Sequence, residues 1–309
     1  MTDWPPASGA ASRPPGGPGA GAPLAPPFDT SVAHPARRYN YWLGGKDNFA
    51  ADRASADAIA KAHPMAKAGA VANRAFHGRA VRYVAGQGVR QFLDIGTGLP
   101  APGNTHEVAQ AADPVCRIVY VDNDPLVLVH ARALLTSAVP DTVDYLHADL
   151  ADPAAILAYV RAGTVLDLDE PIALLLVAVL HFLPDDADPY GVVAALLDAL
   201  APGSFLVLSH GTADSLTDTE RAMLPALAPG YHPRTEAGIA AFTTGLELLD
   251  PGLVGVAQWR PDTGPDTGRE GEADAPLGVE QLAVYGVVAR KPAGPRPNQP
   301  VPPQLPGDR

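Results

Sequence analysis

Residues 92–100 read Phe-Leu-Asp-Ile-Gly-Thr-Gly-Leu-Pro, and the fold of the chain turns on how this stretch is read. Phe92, Leu93 and Ile95 have the character of a buried parallel strand at its end. Gly96 and Gly98 let the backbone turn tightly and approach a ligand with no Cβ in the way. Asp94 stands inside the apolar run, where a carboxylate is costly unless it meets a partner. An acid on the strand followed by Gly-x-Gly suits a nucleoside ligand with a positively charged or donor-rich part. Taken alone, the nonapeptide fits an ordinary strand–turn–helix junction equally well, so the rest of the chain decides.

On the C-terminal side, strand-like and helix-like segments alternate, the pattern of a parallel doubly wound sheet. The helix after Gly98 is deferred by Pro100, Pro102 and Gly103, and Asn104 with Glu107 forms a capping-box start. Strands are expected at 117–121, 143–146, 172–180 and 205–209. Asp124-Pro125, Asp152-Pro153 and Asp188-Pro189 each supply a cap and a first-turn proline for the helix that follows, the first of these helices reaching about Ser137. Beyond them, Thr217 with Glu220 and then Thr235 cap two more helices. Residues 253–259 and 281–289 read as two strands separated by a polar, Gly/Pro-rich loop at 261–278, a pair able to add an antiparallel edge.

On the N-terminal side, 68–85 is an amphipathic helix with Phe76, Ala80, Tyr83 and Val84 on one face, and 51–64 is an Ala-rich helix. Residues 28–50 interleave Tyr39, Tyr41, Trp42 and Phe49 with polar residues, and a helix is expected from Pro35 to Gly44. Tyr and Trp bring an apolar body and a polar tip, which suits a lid over a ligand. A packing segment docked on the domain would carry the same residues. Gly44-Gly45-Lys46-Asp47 lacks the strand and leading glycine of a phosphate loop. The organisation expected is a disordered Pro/Gly/Ala-rich tail at 1–27, a helical lid segment at 28–90, a nucleotide-type domain at 91–290 and a second disordered tail at 291–309.

Ligands of open parallel sheets bind outside the carboxyl ends of the strands. Four strand ends here carry polar residues: Asp94 with Gly96, Thr97 and Gly98; Asp122, followed by Asn123; Asp149, followed by Leu150; and His181. Asp122 can accept from both hydroxyls of a ribose, and Asp149 from an exocyclic amine such as that of adenine. Singly, either acid is explained by a cap or a turn; together they favour adenosine. A nicotinamide dinucleotide is the competing ligand, since Gly96-x-Gly98-x-x-Ala101 formally fits that fingerprint. Against it, the deferred helix withholds the N-terminus that a pyrophosphate needs, and Asp94 would repel the pyrophosphate. The same carboxylate favours a ligand with an ammonium and a sulfonium.

These residues resemble the cofactor motifs of class I S-adenosylmethionine-dependent methyltransferases. More narrowly, Ser31-Val-Ala-His-Pro-Ala-Arg, Leu43-Gly-Gly-Lys-Asp-Asn-Phe, the stretch from Phe92, Gly103-Asn-Thr-His-Glu-Val-Ala-Gln and Tyr120-Val-Asp-Asn-Asp-Pro resemble one actinobacterial S-adenosyl methyltransferase family, formerly a domain of unknown function. The similarity spans about residues 28–290. It implies an α/β, Rossmann-like class I methyltransferase fold, the cofactor S-adenosyl-L-methionine, and methyl transfer to an acceptor that the family does not identify. Pro100-Ala-Pro102 and the ending Tyr285-Gly-Val-Val-Ala-Arg-Lys depart mildly from the family pattern.

Composition narrows the partners. The chain has 309 residues with 47% apolar and 18% charged, enough for one large α/β domain with additions or two small ones. Its formal charge of −12 would repel a polyanion, so nucleic acid is disfavoured unless a local basic patch overrides it. The longest apolar run, at 172–183, is interrupted by His181 and too short to span a bilayer. No secretory signal is visible. The single cysteine, Cys116, excludes an intramolecular disulfide and a Cys-based zinc site and fits a reducing cytosol. The expectation is a cytoplasmic protein acting on a small molecule, with no metal and no implied oligomeric state.

For the acceptor side, the candidates for a general base are His181 and His210, both expected to face the ligand crevice, although a satisfied structural histidine explains each as well. Tyr39, Tyr41, Trp42 and Lys46 are the candidates for a lid or acceptor pocket. Val179-Leu-His-Phe182 lacks the Asn/Asp-Pro-Pro-Tyr/Phe motif of methyltransferases acting on DNA bases or protein amides, which leaves small-molecule O-, N- or C-methylation. A protein that binds the cofactor as a sensor or accessory subunit is the alternative from a different class.

Overall fold

The computed structural model describes residues 29–134, 139–262 and 277–292. Three helices precede the sheet: α1 (Pro35–Trp42), α2 (Ala50–Ala62) and α3 (Ala66–Gly86). The alternating stretch then runs β1 (Gln91–Ile95), α4 (Thr105–Ala112), β2 (Arg117–Asp122), α5 (Pro125–Leu134), β3 (Val143–His147), α6 (Pro153–Arg161), β4 (Ala173–Val177), α7 (Pro189–Asp198) and β5 (Phe205–Gly211). It closes with α8 (Asp218–Leu227), α9 (Glu236–Ala240), β6 (Glu247–Leu248), β7 (Val254–Gly255), α10 (Val279–Leu282) and β8 (Val284–Arg290).

The sheet order is β3-β2-β1-β4-β5-β8-β6, with β7 also paired to β8. Strands β1 to β5 are parallel, while β8 runs antiparallel to β5. This is the mostly parallel sheet with an antiparallel C-terminal edge expected of a class I methyltransferase. The winding reverses between β1 and β4, so the crevice lies over their carboxyl ends.

Alternation along the strands sorts the helices into two layers. Leu93, Ile95, Val119, Val121, Leu174 and Leu206 face α6 and α7. Phe92, Ile118, Tyr120, Leu175 and Val207 face α3 and α4. Asp94 shares its parity with Phe92, so its carboxylate is delivered to the α3/α4 side rather than into the other apolar layer. The capping residues read from the sequence take their places: Asn104 with Glu107, Asp124, Asp152, Asp188, Thr217 with Glu220, and Thr235. Asp124, Asp152, Asp188, Thr217 and Thr235 each satisfy an otherwise orphaned N–H, worth about 1 kcal/mol, while at α4 it is Glu107 that accepts from the Asn104 N–H and the Asn104 side chain accepts from the Ala101 N–H.

The structure corrects several boundaries. Strand four ends at Val177, not Leu180: Ala178 takes φ 56° and Leu180–Phe182 forms a 3-10 turn. The apolar run continues because that turn is buried. Strand five extends to Gly211, which puts His210 inside it. Only Val254–Gly255 of the expected strand at 253–259 is strand, because Arg79 on α3 captures the carbonyls of Val256 and Trp259 at 2.6 and 3.0 Å. The expected strand at 281–289 opens as α10 and becomes β8 only after Ala283, at φ 54°. The expected tails at 1–27 and 291–309, the loop at 261–278 and the end of the helix near Ser137 lie wholly or largely outside the described residues.

Trp259 explains why 256–260 leaves the sheet edge. It is fully buried and packs edge-on to Phe76 and Tyr83, with ring centroids at 5.6 and 5.7 Å. Trp259→Ala should cost about 3–5 kcal/mol of stability, read from urea unfolding; a loss under 1 kcal/mol would mean the ring is not a core element.

Candidate functional site

The carboxyl ends of the parallel strands open into a cavity of about 640 Å³. The loop after β1, α1, α2, α3 and the 216–231 segment line it. Gly96 and Gly98 sit at φ 76° and 69°, the left-handed region. A Cβ on Gly96 would come within 2.6 Å of Val179 Cβ, so the β1 loop and the segment after β4 touch only because position 96 has no side chain. Thr97 Oγ1 donates to the Asp94 carbonyl at 3.0 Å and closes the turn.

Asp94 lines the cavity and is 6% exposed. Its Oδ2 accepts from Thr105 Oγ1 at 2.5 Å, and its other oxygen has no hydrogen-bond partner among the described residues. Since the Thr105 proton goes to Asp94, His77 Nε2, 2.8 Å away, must donate to the threonine. Burial pushes His77 down to about 3, so the ring is neutral. Burial raises the Asp94 carboxyl to about 6, against the lowering effects of Thr105 and Arg74. A buried acid with one open oxygen, facing a cavity, is short of a cation.

Asp122, at the end of β2, accepts from the Gly98 N–H at 2.8 Å on Oδ2 and from the Asp124 N–H at 2.9 Å on Oδ1. It therefore fixes the glycine loop, and each oxygen retains a lone pair for a hydroxyl. Burial raises its pKa. Asp149, at the end of β3, is exposed; it accepts from Asn123 Nδ2 at 3.1 Å and from the Ala151 N–H at 2.8 Å. Asn123 and Leu150 complete this wall of the cavity. The cofactor-type residues from three strand ends thus line one cavity.

The lid candidates divide. Tyr39 and Trp42 line the cavity; Tyr39 Oη donates to the Ala70 carbonyl at 2.9 Å and accepts from Asn73, docking α1 on α3. Tyr41 and Lys46 lie outside the lining: Tyr41 donates to Asp57 at 3.2 Å, and Lys46 is exposed. The start of α1 is capped by His34, whose Nδ1 accepts from the Ala36 N–H at 3.3 Å and whose own backbone N–H donates to Asp52 Oδ1 at 2.8 Å.

The two histidines are corrected in placement. His181 lines the cavity from the 3-10 turn rather than from a strand end, and its Nδ1 accepts from the Gly211 N–H at 3.2 Å. Burial holds its pKa well below the ordinary value. The neutral ring therefore carries its proton on Nε2 and is a donor, not a base. His210 is fully buried away from the cavity lining; its Nδ1 donates to the Gly211 carbonyl at 2.7 Å and its Nε2 accepts from Arg234 at 3.0 Å. With both nitrogens engaged it supports Arg234, which clamps the Leu180 and Leu183 carbonyls and so positions the turn bearing His181.

Sequence reasoning missed His77, Thr105, Arg74, Arg38 and Tyr231. Arg74 bonds the Ala101 carbonyl at 2.9 Å and Asn104 at 3.1 Å, bracing the deferred-helix loop. Arg38 lines the cavity, 6% exposed; its guanidinium makes no hydrogen bond to a described residue and could hold a carboxylate. The available signal was polar Asn73 and His77, four apart, beside the apolar stripe of α3. Among the described residues, no group of three His, Cys, Asp or Glu is placed to hold a metal ion, and no helix is long and apolar enough to cross a membrane.

Comparison with known proteins gives the family. A family model described as S-adenosyl methyltransferase matches residues 22–292. A protein of the DUF574 family from Streptomyces avermitilis is 42% identical, with 85% of this chain and 99% of that chain covered and a TM-score of 0.76. A candidate methyltransferase from Thermobifida fusca YX is 40% identical, with 85% and 97% covered and a TM-score of 0.75. No curated protein matches the sequence. With the match extending over α1 to α3 and every strand that lines the cavity, the chain belongs to the S-adenosyl methyltransferase family.

Proposed function

We propose that the chain transfers a methyl group from S-adenosyl-L-methionine to a small-molecule acceptor in the cytoplasm, with the cofactor held by the three strand ends. The observation that carries the residue assignment is the Gly98 N–H to Asp122 bond, which brings the acid after β2 and the glycine loop after β1 into one wall with Asp94. Asp94 meets the cofactor's ammonium, Gly96, Thr97 and Gly98 let it approach the backbone, and Asp122 accepts from the ribose hydroxyls. Asn123, Asp149 and Leu150 take the adenine end, and Arg38 suits the carboxylate. The bound cofactor supplies an already activated methyl group; the chain's task is to position the acceptor and exclude water. The apolar acceptor end of the cavity, with Phe182, Leu183, Leu224 and Leu227, supports a small molecule rather than a polymer. The single cysteine supports the cytoplasmic placement.

Thermal-shift titration with S-adenosylmethionine, S-adenosylhomocysteine and NAD tests the assignment, since a ligand at 100 times its dissociation constant adds about 2.7 kcal/mol. Both adenosyl ligands should raise the melting temperature and NAD should not. Asp122→Ala removes two loop anchors and the ribose acceptor, so it should weaken binding at least about tenfold. An unchanged shift would place the ribose elsewhere. Transfer of label from methyl-labelled cofactor to an acceptor in a cell extract separates the enzyme from a sensor.

A further inference from the structure

The acceptor end of the cavity has polar groups of an unusual kind for methyl transfer. Tyr231 and His181 stand side by side, ring centroids 4.8 Å apart, and both line the cavity. They share a neighbour in Gly211. Its N–H occupies His181 Nδ1, and the Tyr231 hydroxyl fills the space where a side chain at 211 would stand. The Tyr231 hydroxyl and His181 Nε2 have no hydrogen-bond partner among the described residues, and neither is among the fully enclosed, unpartnered polar atoms. Val179, which meets the position of a side chain on Gly96, lies two residues before His181 in the chain, and all three residues line the same cavity.

Both groups are donors. His181 carries its remaining proton on Nε2, as its hydrogen bonding requires. Burial alone raises the Tyr231 phenol to about 12, with no carboxylate acting on it, so its proton stays in place. His181 is acted on by burial, His210 and Arg234, again without an acid. Glu220, the cavity acid on α8, is occupied by the Thr217 cap and lies 3.6 Å from His63. Two donors with no adjacent base are poorly suited to a neutral amine: they would occupy its lone pair and leave a cationic product unpaired in an apolar pocket.

Resting on the methyltransferase reading above, we propose that the acceptor is a mostly apolar molecule bearing an acidic phenol or enol, which enters as its oxyanion and is held by the Tyr231 hydroxyl and His181 Nε2–H. The oxyanion's electron pair forms the new O–C bond as the methyl's bond to sulfur breaks. That bond's pair stays on sulfur, and no proton moves. The positive sulfonium and the negative oxygen both become neutral, a change that a low-dielectric, water-poor pocket favours. This assigns O-methylation without a general base, with Tyr231 and His181 as the acceptor-binding residues.

The probe is 4-nitrophenol, whose ionised form absorbs in the visible, added to protein saturated with S-adenosylhomocysteine; 4-nitroaniline is the matched neutral amine. The bound phenol should ionise at lower pH than in water, and the aniline should bind more weakly. Tyr231→Phe and His181→Leu should each weaken binding of the anion about ten- to a hundredfold, as expected for a lost hydrogen bond to a charge. His181→Gln, which keeps an N–H, should retain most of it. Ligand-free melting of each variant controls for folding. A bound phenol that stays neutral, equal or tighter binding of the aniline, or no phenol binding by protein that still takes S-adenosylhomocysteine would each overturn the proposal while leaving the cofactor site intact. Failure to bind S-adenosylhomocysteine would overturn the cofactor assignment, and the proposal with it.

Discussion

Asp94→Asn should make the ligand-free protein more stable at pH 7 and at the same time cripple cofactor binding. The two opposite signs have one origin. In the wild type, burial raises the carboxyl to about 6 from an ordinary 3.8. A carboxyl whose folded pKa is raised contributes stability that is fully present below about pH 4 and lost as pH climbs through about 6. About two pKa units correspond to roughly 3 kcal/mol. At neutral pH the empty site therefore holds an ionised, buried carboxylate with one oxygen unpartnered. Asn removes the charge and keeps the shape.

Cofactor binding runs the other way. A cationic ligand favours ionised Asp94, so its affinity should rise with pH up to about 6 and then level off. Binding at pH 5 should be about tenfold weaker than on the plateau. Isothermal titration with S-adenosylhomocysteine, which keeps the ammonium, across pH 5–8 would show this slope in the wild type and a flat, weak profile in Asp94→Asn. If the variant kept the wild-type slope, another group would be the linked one. If it lost ligand-free stability, the Thr105 bond would outweigh the buried charge.

That behaviour was partly legible in the sequence. An acid inside an apolar strand, followed by two glycines and a late helix, shows a carboxylate that requires a partner. Period-two alternation, together with Phe92 beside it, tells which face it takes once α3 is known to cover that face. What could not be read was the company on α3. Asn73 and His77 look like polar interruptions of an amphipathic helix until Thr105, far along the chain, bridges His77 to Asp94. His210 was misplaced for a related reason. A histidine near a strand's carboxyl end reads as crevice-facing, but β5 runs to Gly211 and Arg234, from a later loop, claims the ring. The antiparallel C-terminal edge forms as expected, but its strand bounds differ: a short strand and a buried loop share apolar composition, and Arg79 together with the buried Trp259 turns 256–259 away from the ladder. Local pattern carries the strand ends; contacts distant in sequence decide what each side chain meets there.

The glycines of the loop should then separate two kinds of loss. Both have left-handed φ, so an alanine at either pays about 1–2 kcal/mol in backbone strain. At Gly98 that is the whole cost to the empty protein, since nothing lies within 4 Å of a Cβ there. The new methyl would project into open space beside the cavity, so Gly98→Ala should lose no more ligand-free stability than that strain yet bind S-adenosylhomocysteine weakly. At Gly96 the methyl meets Val179, whose Cβ at 2.6 Å cannot rotate aside. Either the β1 loop or the turn carrying His181 has to move. Gly96→Ala should therefore lower ligand-free stability by clearly more than Gly98→Ala and also lose cofactor binding. Adding Val179→Gly removes the obstructing side chain, so the double variant should lose less stability than the two single losses added together, Val179→Gly itself costing the packing of that side chain on the core. The measurement is a double-mutant cycle in urea. A coupling energy near zero would mean that the two segments do not touch. A clear positive coupling would mean that the glycine loop sets the position of the β4 turn as well as admitting the cofactor, joining the methyl-donor and acceptor ends of the cavity through one contact.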